Sequence, residues 1–515
     1  MERTDISVLV AEAAQEVPDR RALVESDGRA LTWAELEDEV GRVATGLGTL
    51  GVRAGHRVLV AVGNRIEFVT TYLAVLRAQL VAVPVNPRST PSELQQIVAD
   101  SGSRVVVADA STVDAVREAL AGLGSARPRL VVVGAEPREG ETAYDDLRAE
   151  VVRPVPSLPD PERLAVLLYT SGTSGRPRAA MLSHRALLAN LEQVAAVEPP
   201  MMHGDDVVLG VLPLFHVYGL NAVLGGVLRH RARLLLVETW EPDAVLDLIE
   251  DEACSVVPVA PPAFAHWLPD ENLRERLGPV RLVLSGSAPL GREVIERFTA
   301  QTGLPVHQGY GLTEAAPVVT STLGAREARV GSVGPALPGI DLRLVDEAGN
   351  TVDGEDPGRI QVRGDNLFSG YWPDGSDGPD TDGWWSTGDV GFLDPDGDLF
   401  LVDRVKELVV VSGFSVYPTE VEDVLREVEG VVDAAVIGVP DDRSGEAVVA
   451  YVVVDGADPE AVVAAAREHA GVRLARFKQP SRVVPVQELP LTVTGKVQKG
   501  RLRGMERRRA LGLLE

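Results

Sequence analysis

The chain has 515 residues and carries 50 Lys and Arg against 76 Asp and Glu, a formal net charge of −26. That balance argues against nucleic acid and against an anionic membrane surface as partners; its plain meaning is a solvated acidic exterior. A single cysteine, Cys254, excludes an internal disulfide framework and every multi-cysteine metal site.

Length sets an expectation of about three domains or sub-domains. Apolar residues make up 45% and aromatics only 4%, so aliphatic side chains must fill the interior. The opening Met-Glu-Arg-Thr-Asp lacks a basic segment followed by an apolar run, and no signal peptide is expected. The most apolar stretch, 215–228, contains His216, Tyr218 and Asn221 and is shorter than the roughly 20 residues of a membrane span. The expected compartment is the cytoplasm. Cys254, followed by Ser-Val-Val-Pro, is expected to be a buried core thiol.

The first clear element is a helix over 33–50. Thr32 is its expected N-cap with Glu35 three residues on; Leu36, Val40, Val43 and Leu47 form one apolar stripe, and Gly51 ends it. Short apolar, β-branched runs at 57–62, 104–108, 130–133, 164–169, 207–212, 234–237, 255–259 and 280–284 predict strands buried on both faces. Helical periodicity between them predicts α/β layering. Residues 151–162 carry four prolines and predict a connector between sub-domains, and 373–383 read as an Asp/Gly/Pro loop.

After Asp403 a smaller α+β unit is expected: a helix near 419–429, strands near 431–438 and 448–454, and a helix near 459–470. The domain boundary is placed at 404–407. The tail over 473–509 is locally basic, with eleven Lys and Arg against two Glu. Lysine stands only at Lys406, Lys478, Lys496 and Lys499; every other basic residue is arginine. Such a bias marks these four as places where a compact point charge serves and a planar fork does not.

The densest chemistry is Tyr169-Thr-Ser-Gly-Thr-Ser-Gly-Arg-Pro-Arg178, which follows a predicted buried strand. Five hydroxyls, two glycines and two arginines in ten residues can present N–H groups, hydroxyls and cations to phosphate oxygens. It is not a Walker A loop, since no Gly-Lys-Ser/Thr occurs. Asp394-Pro-Asp-Gly-Asp398 has Val405 at the twelfth position where a calcium loop needs Glu, so it reads as a hairpin turn. No histidine or cysteine cluster suggests zinc. His216 is read as lying in an apolar strand-to-turn segment.

The hydroxyl-rich loop resembles the signature loop of the adenylate-forming superfamily of acyl-CoA synthetases, peptide-synthetase adenylation domains and luciferases. Seven further segments match in order: Pro213-Leu-Phe-His-Val-Tyr-Gly219, Ser285-Gly-Ser-Ala-Pro289, Gln308-Gly-Tyr-Gly-Leu-Thr-Glu314, Gly331-Ser-Val-Gly-Pro335, Trp385-Ser-Thr-Gly-Asp389, Asp403-Arg-Val-Lys-Glu407 and Leu491-Thr-Val-Thr-Gly-Lys496.

The resemblance implies a large N-terminal AMP-binding and acyl-substrate domain over 1–403, built of layered sheets and helices. A hinge at 404–407 and a small mobile α+β C-terminal domain over 408–515, carrying a catalytic lysine, complete the implied fold. It implies that a carboxylic acid attacks the α-phosphate of ATP, and that the acyl-adenylate passes to CoA. Thr170, Ser171, Gly172, Thr173, Ser174 and Arg178 would hold phosphate; Ser287, Ala288, Gln308, Gly309, Tyr310 and Thr313 would line the adenine and AMP site; Asp389 and Arg404 would hold the ribose. Glu314 and Thr170 would bind Mg²⁺, with Glu314, His216 and Lys496 acting in catalysis. The implied acyl pocket is His216, Tyr218, Ala260, Ser287, Gly309 and Pro317. Lys406 would be the hinge, and Ser412 and Gly413 belong to a strand resembling part of the pantetheine tunnel.

Where the family usually has Lys-Gly, this chain has Arg178 and Ala179; the arginine keeps the charge, while alanine is costly if the position needs a positive φ. The expected substrate is a medium- or long-chain fatty acid. Alternatives are an aryl or coumarate-like acid, delivery of the acyl group to a carrier protein or an amine, and a non-catalytic nucleotide-binding regulator. The partners expected are small molecules, without nucleic acid or an integral membrane segment, and a homodimer is left open.

Overall fold

Aliphatic runs too apolar to face water on either side pair into two largely parallel sheets. The computed structural model describes residues 3–510 except 125, 126, 157, 171–177, 289, 327, 328, 330, 347, 353–355, 405, 406, 412, 413, 442–444, 456, 457, 493 and 494. The chain packs as two units: 1–330 with 334–341 and 363–385, and 331–333 with 342–362 and 386–515.

In the first unit a seven-stranded sheet runs in the order Thr142–Ala143, Arg129–Val133, Val105–Asp109, Arg57–Ala61, Val81–Pro84, Leu164–Thr170, Arg178–Ser183. All neighbours are parallel except the last pair. An eight-stranded sheet has the order Val318–Ser321, Val306–Gly311, Leu282–Ser285, Val256–Val259, Val207–Gly210, Arg233–Leu236, Arg21–Glu25, Ala30–Thr32. Its six inner strands are parallel and both edges antiparallel. All eight strands predicted from apolar runs are present, with ends shifted by one or two residues.

The helix Trp33–Thr49 has the expected capping box: the Glu35 N–H donates to Thr32 Oγ1, and the Thr32 N–H donates to the Glu35 carboxylate. Leu36, Val40, Val43 and Leu47 are fully buried, and Gly51 follows with φ +75°. One expectation is corrected. Residues 151–162 do not separate sub-domains, because Leu164–Thr170 beyond them returns to the first sheet beside Val81–Pro84. Cross-strand pairing over a distance outweighs the local proline signal. His216 lies in the turn that follows the strand ending at Gly210, as read from the sequence, and the turn leads into a π-helix over Tyr218–Gly225 and an α-helix over Gly226–His230.

The second unit contains a four-stranded sheet of Asp341–Val345, Gly358–Arg363, Trp385–Leu393 and Leu399–Arg404. A five-stranded sheet pairs Phe414–Val416, Val409–Val411, Gly445–Val454 and Val431–Asp441, with Arg482–Val486 beside Gly445–Val454. The helices Pro418–Arg426 and Pro459–Arg473 stand where the sequence places them. Arg404 and Glu407, on either side of the expected boundary, are both grouped with this unit. Residues 394–398 form the expected hairpin turn, in which Asp394 Oδ1 accepts from the N–H groups of Asp396 and Asp398. Among the described residues no helix is long and apolar enough to cross a membrane.

Cys254 packs among Val257, Phe264, Trp267 and their neighbours with no exposed surface, and burial pushes its thiol up to about 12. The native protein should therefore leave a thiol reagent unreacted at pH 8, and denaturant should release one equivalent. Stoichiometric labelling of the folded protein would contradict this packing.

Candidate active site

Parallel strands that share a register all end on one edge of their sheet. Val207–Gly210, Val256–Val259, Leu282–Ser285 and Val306–Gly311 do so, and open α/β sheets bind ligands at that carboxyl edge. The loops leaving it carry His216, Tyr218, Ala260, Ser287, Ala288, Thr313, Glu314 and Pro317, while Gln308, Gly309 and Tyr310 lie in the last of these strands. Sequence-distant motifs thus share one edge because the strands before them are parallel.

Close packing shapes this edge. A Cβ at Gly286 would stand 2.7 Å from Cε1 of Tyr218, so any larger residue there would displace the tyrosine ring. The next residue, Ser287, has φ +75°, and its buried Oγ makes no hydrogen bond among the described residues. Burial pushes the Tyr218 hydroxyl above the usual tyrosine range. The Tyr218 N–H donates to His216 Nδ1 at 3.3 Å, holding the imidazole against the turn. Tyr310 is buried, and its N–H donates to Thr320 Oγ1.

Three fully buried asparagines grip the segment after Glu314. Asn190 Nδ2 donates to the Val318 carbonyl at 2.8 Å and its Oδ1 accepts from the Val318 N–H. Asn221 Nδ2 donates to the carbonyls of Ala316 at 2.7 Å and Leu187 at 3.1 Å. Asn366 Nδ2 donates to the Ala315 carbonyl at 2.8 Å. The grip holds Ala316 at φ +61°, a backbone state alanine disfavours. The Glu314 carbonyl accepts from the Phe368 N–H at 2.9 Å.

The strands that flank the hydroxyl-rich segment belong to the other sheet. Thr170 and Arg178 face each other across its last two strands, and Thr170 Oγ1 donates to the Arg178 carbonyl at 3.4 Å. Ser171, Gly172, Thr173 and Ser174 lie outside the described residues. Ala179 sits inside the strand, buried and without a positive φ, so alanine there costs nothing in backbone strain. The strap 369–372 pairs with this strand: the Met181 N–H donates to the Gly370 carbonyl and the Trp372 N–H to that of Ala179. Pairing sets Tyr371 between two predicted site residues. Its hydroxyl donates to Glu314 Oε1 at 2.6 Å, and its ring centroid lies 3.7 Å from Cζ of Arg178. Arg178 Nη2 also donates to Asp377 Oδ2 at 2.7 Å. Sequence reading missed Tyr371, Asp377 and the three asparagines; a polar Asn221 inside an apolar stretch was the only signal.

In the second unit Asp389 is buried and lies directly across the hairpin from Arg404. Lys496 is exposed in a turn where Gly495 has φ +79° and the Lys496 N–H donates to Thr492 Oγ1. Lys478 pairs with Glu420 at 2.6 Å, and Lys499 with Glu422 at 2.9 Å and Glu407 at 3.2 Å. Lys478 and Lys499 therefore have structural ion pairs. Lys406, Ser412 and Gly413 lie outside the described residues.

A parallel-sheet edge with a carboxylate and an arginine beside it, in a chain whose sequence carries a hydroxyl-rich segment at 169–178 and Gly495-Lys496 ahead of the helix Lys499–Ala510, is the arrangement of a nucleotide-dependent ligase of the adenylate-forming class. The chain belongs to the AMP-binding enzyme family: the family's model matches residues 10–372, and that of the AMP-binding enzyme C-terminal domain matches 420–496. It is 34% identical over 508 residues to 4-coumarate–CoA ligase 5 of Oryza sativa subsp. japonica, covering 94% of this chain and 91% of that one. ATP-bound MatB from Rhodopseudomonas palustris superposes with TM-score 0.88 at 33% identity, covering 97% and 99% of the two chains. A fatty acyl CoA synthetase of Mycobacterium tuberculosis superposes with TM-score 0.77 at 28% identity, covering 98% of each. The protein is an AMP-forming acid–CoA ligase that uses ATP and CoA.

Asn221→Ala leaves the buried Ala316 carbonyl without its donor and removes a second donor from the helical Leu187 carbonyl, and should lower unfolding stability by roughly 2 kcal/mol. The urea midpoint, read beside the KM for ATP, tests this; a midpoint at the parent value would remove Asn221 from the support of the Glu314 turn.

Proposed function

We propose that this chain activates an aryl acid of the 4-coumarate type and transfers it to CoA. The observation that carries the nucleotide part is the convergence of Glu314, Tyr371 and Arg178 beside the carboxyl edge. A carboxylate oxygen of the acid attacks the α-phosphorus; the bond to the bridging oxygen breaks and pyrophosphate leaves. The CoA thiol then attacks the acyl carbon, and AMP departs. Arg178 and Lys496 offset the negative charge that gathers in the first step. Asp389 and Arg404 hold the ribose, Tyr310 stacks on adenine, and His216 orients the acid's carboxylate. The domain 408–515 turns about 404–407, with Lys406 as the hinge.

Mg²⁺ fits the donors present. Glu314 Oε1 accepts from Tyr371, Oε2 makes no side-chain hydrogen bond among the described residues, and Thr170 adds a hydroxyl. Among the described residues no group of three or more His, Cys, Asp or Glu forms a cage, and a small hard cation that keeps water and phosphate ligands needs none. When bound, it would neutralise the phosphate oxygens.

Relatedness to 4-coumarate ligases supports the aryl acid. A medium- or long-chain fatty acid is the second reading, supported by the likeness to a fatty acyl CoA synthetase. Pyrophosphate release across a panel of aryl and alkyl acids, with and without CoA, separates them. A hydroxycinnamic acid should give the highest kcat/KM; a C8–C16 alkyl acid exceeding it overturns the aryl assignment.

Two variants test the residues. Lys496→Ala should slow adenylation by about 10²–10³ while thioester formation from pre-made acyl-adenylate stays within a few-fold. Equal slowing of both steps would deny Lys496 a role specific to adenylation. Arg178→Ala should raise the ATP KM and Arg178→Lys should keep most of the activity, whereas unchanged ATP kinetics in the alanine variant would take Arg178 out of the phosphate site.

A further inference from the structure

Tyr371 is half-buried, yet both of its functional parts are engaged. The hydroxyl donates to Glu314 Oε1 at 2.6 Å, and the ring face lies 3.7 Å beneath the Arg178 guanidinium. The residue is itself held: its N–H donates to the Ser376 carbonyl, its carbonyl accepts from the Gly375 N–H at 2.8 Å, and Phe368 meets its ring edge-on at 5.0 Å. A side chain fixed this firmly between a carboxylate and a guanidinium does more than fill space.

From this geometry we infer that Tyr371 is a positioning residue that couples the carboxylate of Glu314 to the phosphate-loop cation Arg178. The inference rests on the proposed MgATP site and adds a specific device to it. By donating to one oxygen of Glu314, the hydroxyl fixes the carboxylate plane and aims the other oxygen away from Tyr371, toward the cation. The ring attracts the guanidinium through its negative face without supplying a counter-charge. Arg178 can therefore exchange Asp377 for a phosphate oxygen while its cation stays seated on the ring. A direct Glu314–Arg178 ion pair would instead spend the charge that each group must offer to metal and phosphate. The aromatic ring between them keeps both available and in register.

The two halves of Tyr371 can be removed separately. Tyr371→Phe keeps the ring and loses the donor, so the Mg²⁺ concentration for half-maximal binding of a non-hydrolysable ATP analogue, read by calorimetry, should rise about five- to tenfold. The analogue's Kd at saturating Mg²⁺ should stay within twofold. Tyr371→Leu loses the ring as well, and that Kd should also rise several-fold. A thermal midpoint for Tyr371→Phe close to the parent shows that the metal shift is not unfolding. Glu314→Gln and Arg178→Ala, measured alongside, separate the outcomes. If neither alters Mg²⁺ or analogue binding, the MgATP reading itself falls. If both do and Tyr371→Phe leaves the Mg²⁺ dependence unchanged or tightens it, the coupling role alone is overturned. A Tyr371→Phe shift that disappears in the Glu314→Gln background supports the coupling; one that persists there in full overturns it.

Discussion

The backbone from Glu314 to Val318 is the constraint on which the site depends. The chain leaves the last parallel strand of a sheet there, passes through a left-handed alanine at Ala316, and returns antiparallel as Val318–Ser321. Left to itself, such a segment would relax. Asn190, Asn221 and Asn366 hold it by donating to the carbonyls of Val318, Ala316 and Ala315 respectively. Each asparagine comes from a different part of the fold: a helix, a π-helix and the loop after Gly358–Arg363. Buried amides are costly unless satisfied, so the arrangement is all-or-none and well suited to fixing one geometry. The carboxylate of Glu314 inherits that precision.

A second coupling joins the two sheets of the first unit. Asn64 follows a strand of the seven-stranded sheet, yet its amide donates to Gly210 and Leu212 and accepts from the Leu214 N–H. It thereby fixes the turn that precedes His216. The strap 369–372 makes a corresponding link by extending the Arg178–Ser183 strand while its tyrosine reaches Glu314. Side chains that bridge sheets, rather than the loops themselves, set the site's dimensions.

Charge is handled locally. The net charge of −26 coexists with arginines whose partners are close and specific, as at Arg117 with Glu141 and Arg281 with Asp206. The few lysines divide by task. Lys478 and Lys499 both anchor to the helix Pro418–Arg426, whereas Lys496 stands exposed on a turn. Rarity drew attention to all four; ion pairing accounts for Lys478 and Lys499.

The sequence by itself determined the elements and the family. Buried strands are legible because burial on both faces demands uninterrupted apolar residues, and the helix at Trp33 because Thr32, Glu35 and Gly51 mark its ends. The motif residues of the proposed nucleotide site could be singled out because their types suit phosphate and metal chemistry. Only the tertiary structure decided that Leu164–Thr170 rejoins the first sheet across a proline-rich stretch, that the segment beyond His216 is a π-helix, and that Ala179 is unstrained. It alone brought Tyr371 between Glu314 and Arg178, residues 57 and 193 positions away in the chain. Such contacts leave no local periodicity to read, since what selects a buried asparagine or a bridging tyrosine is the position of a partner carbonyl or cation that only the folded chain supplies.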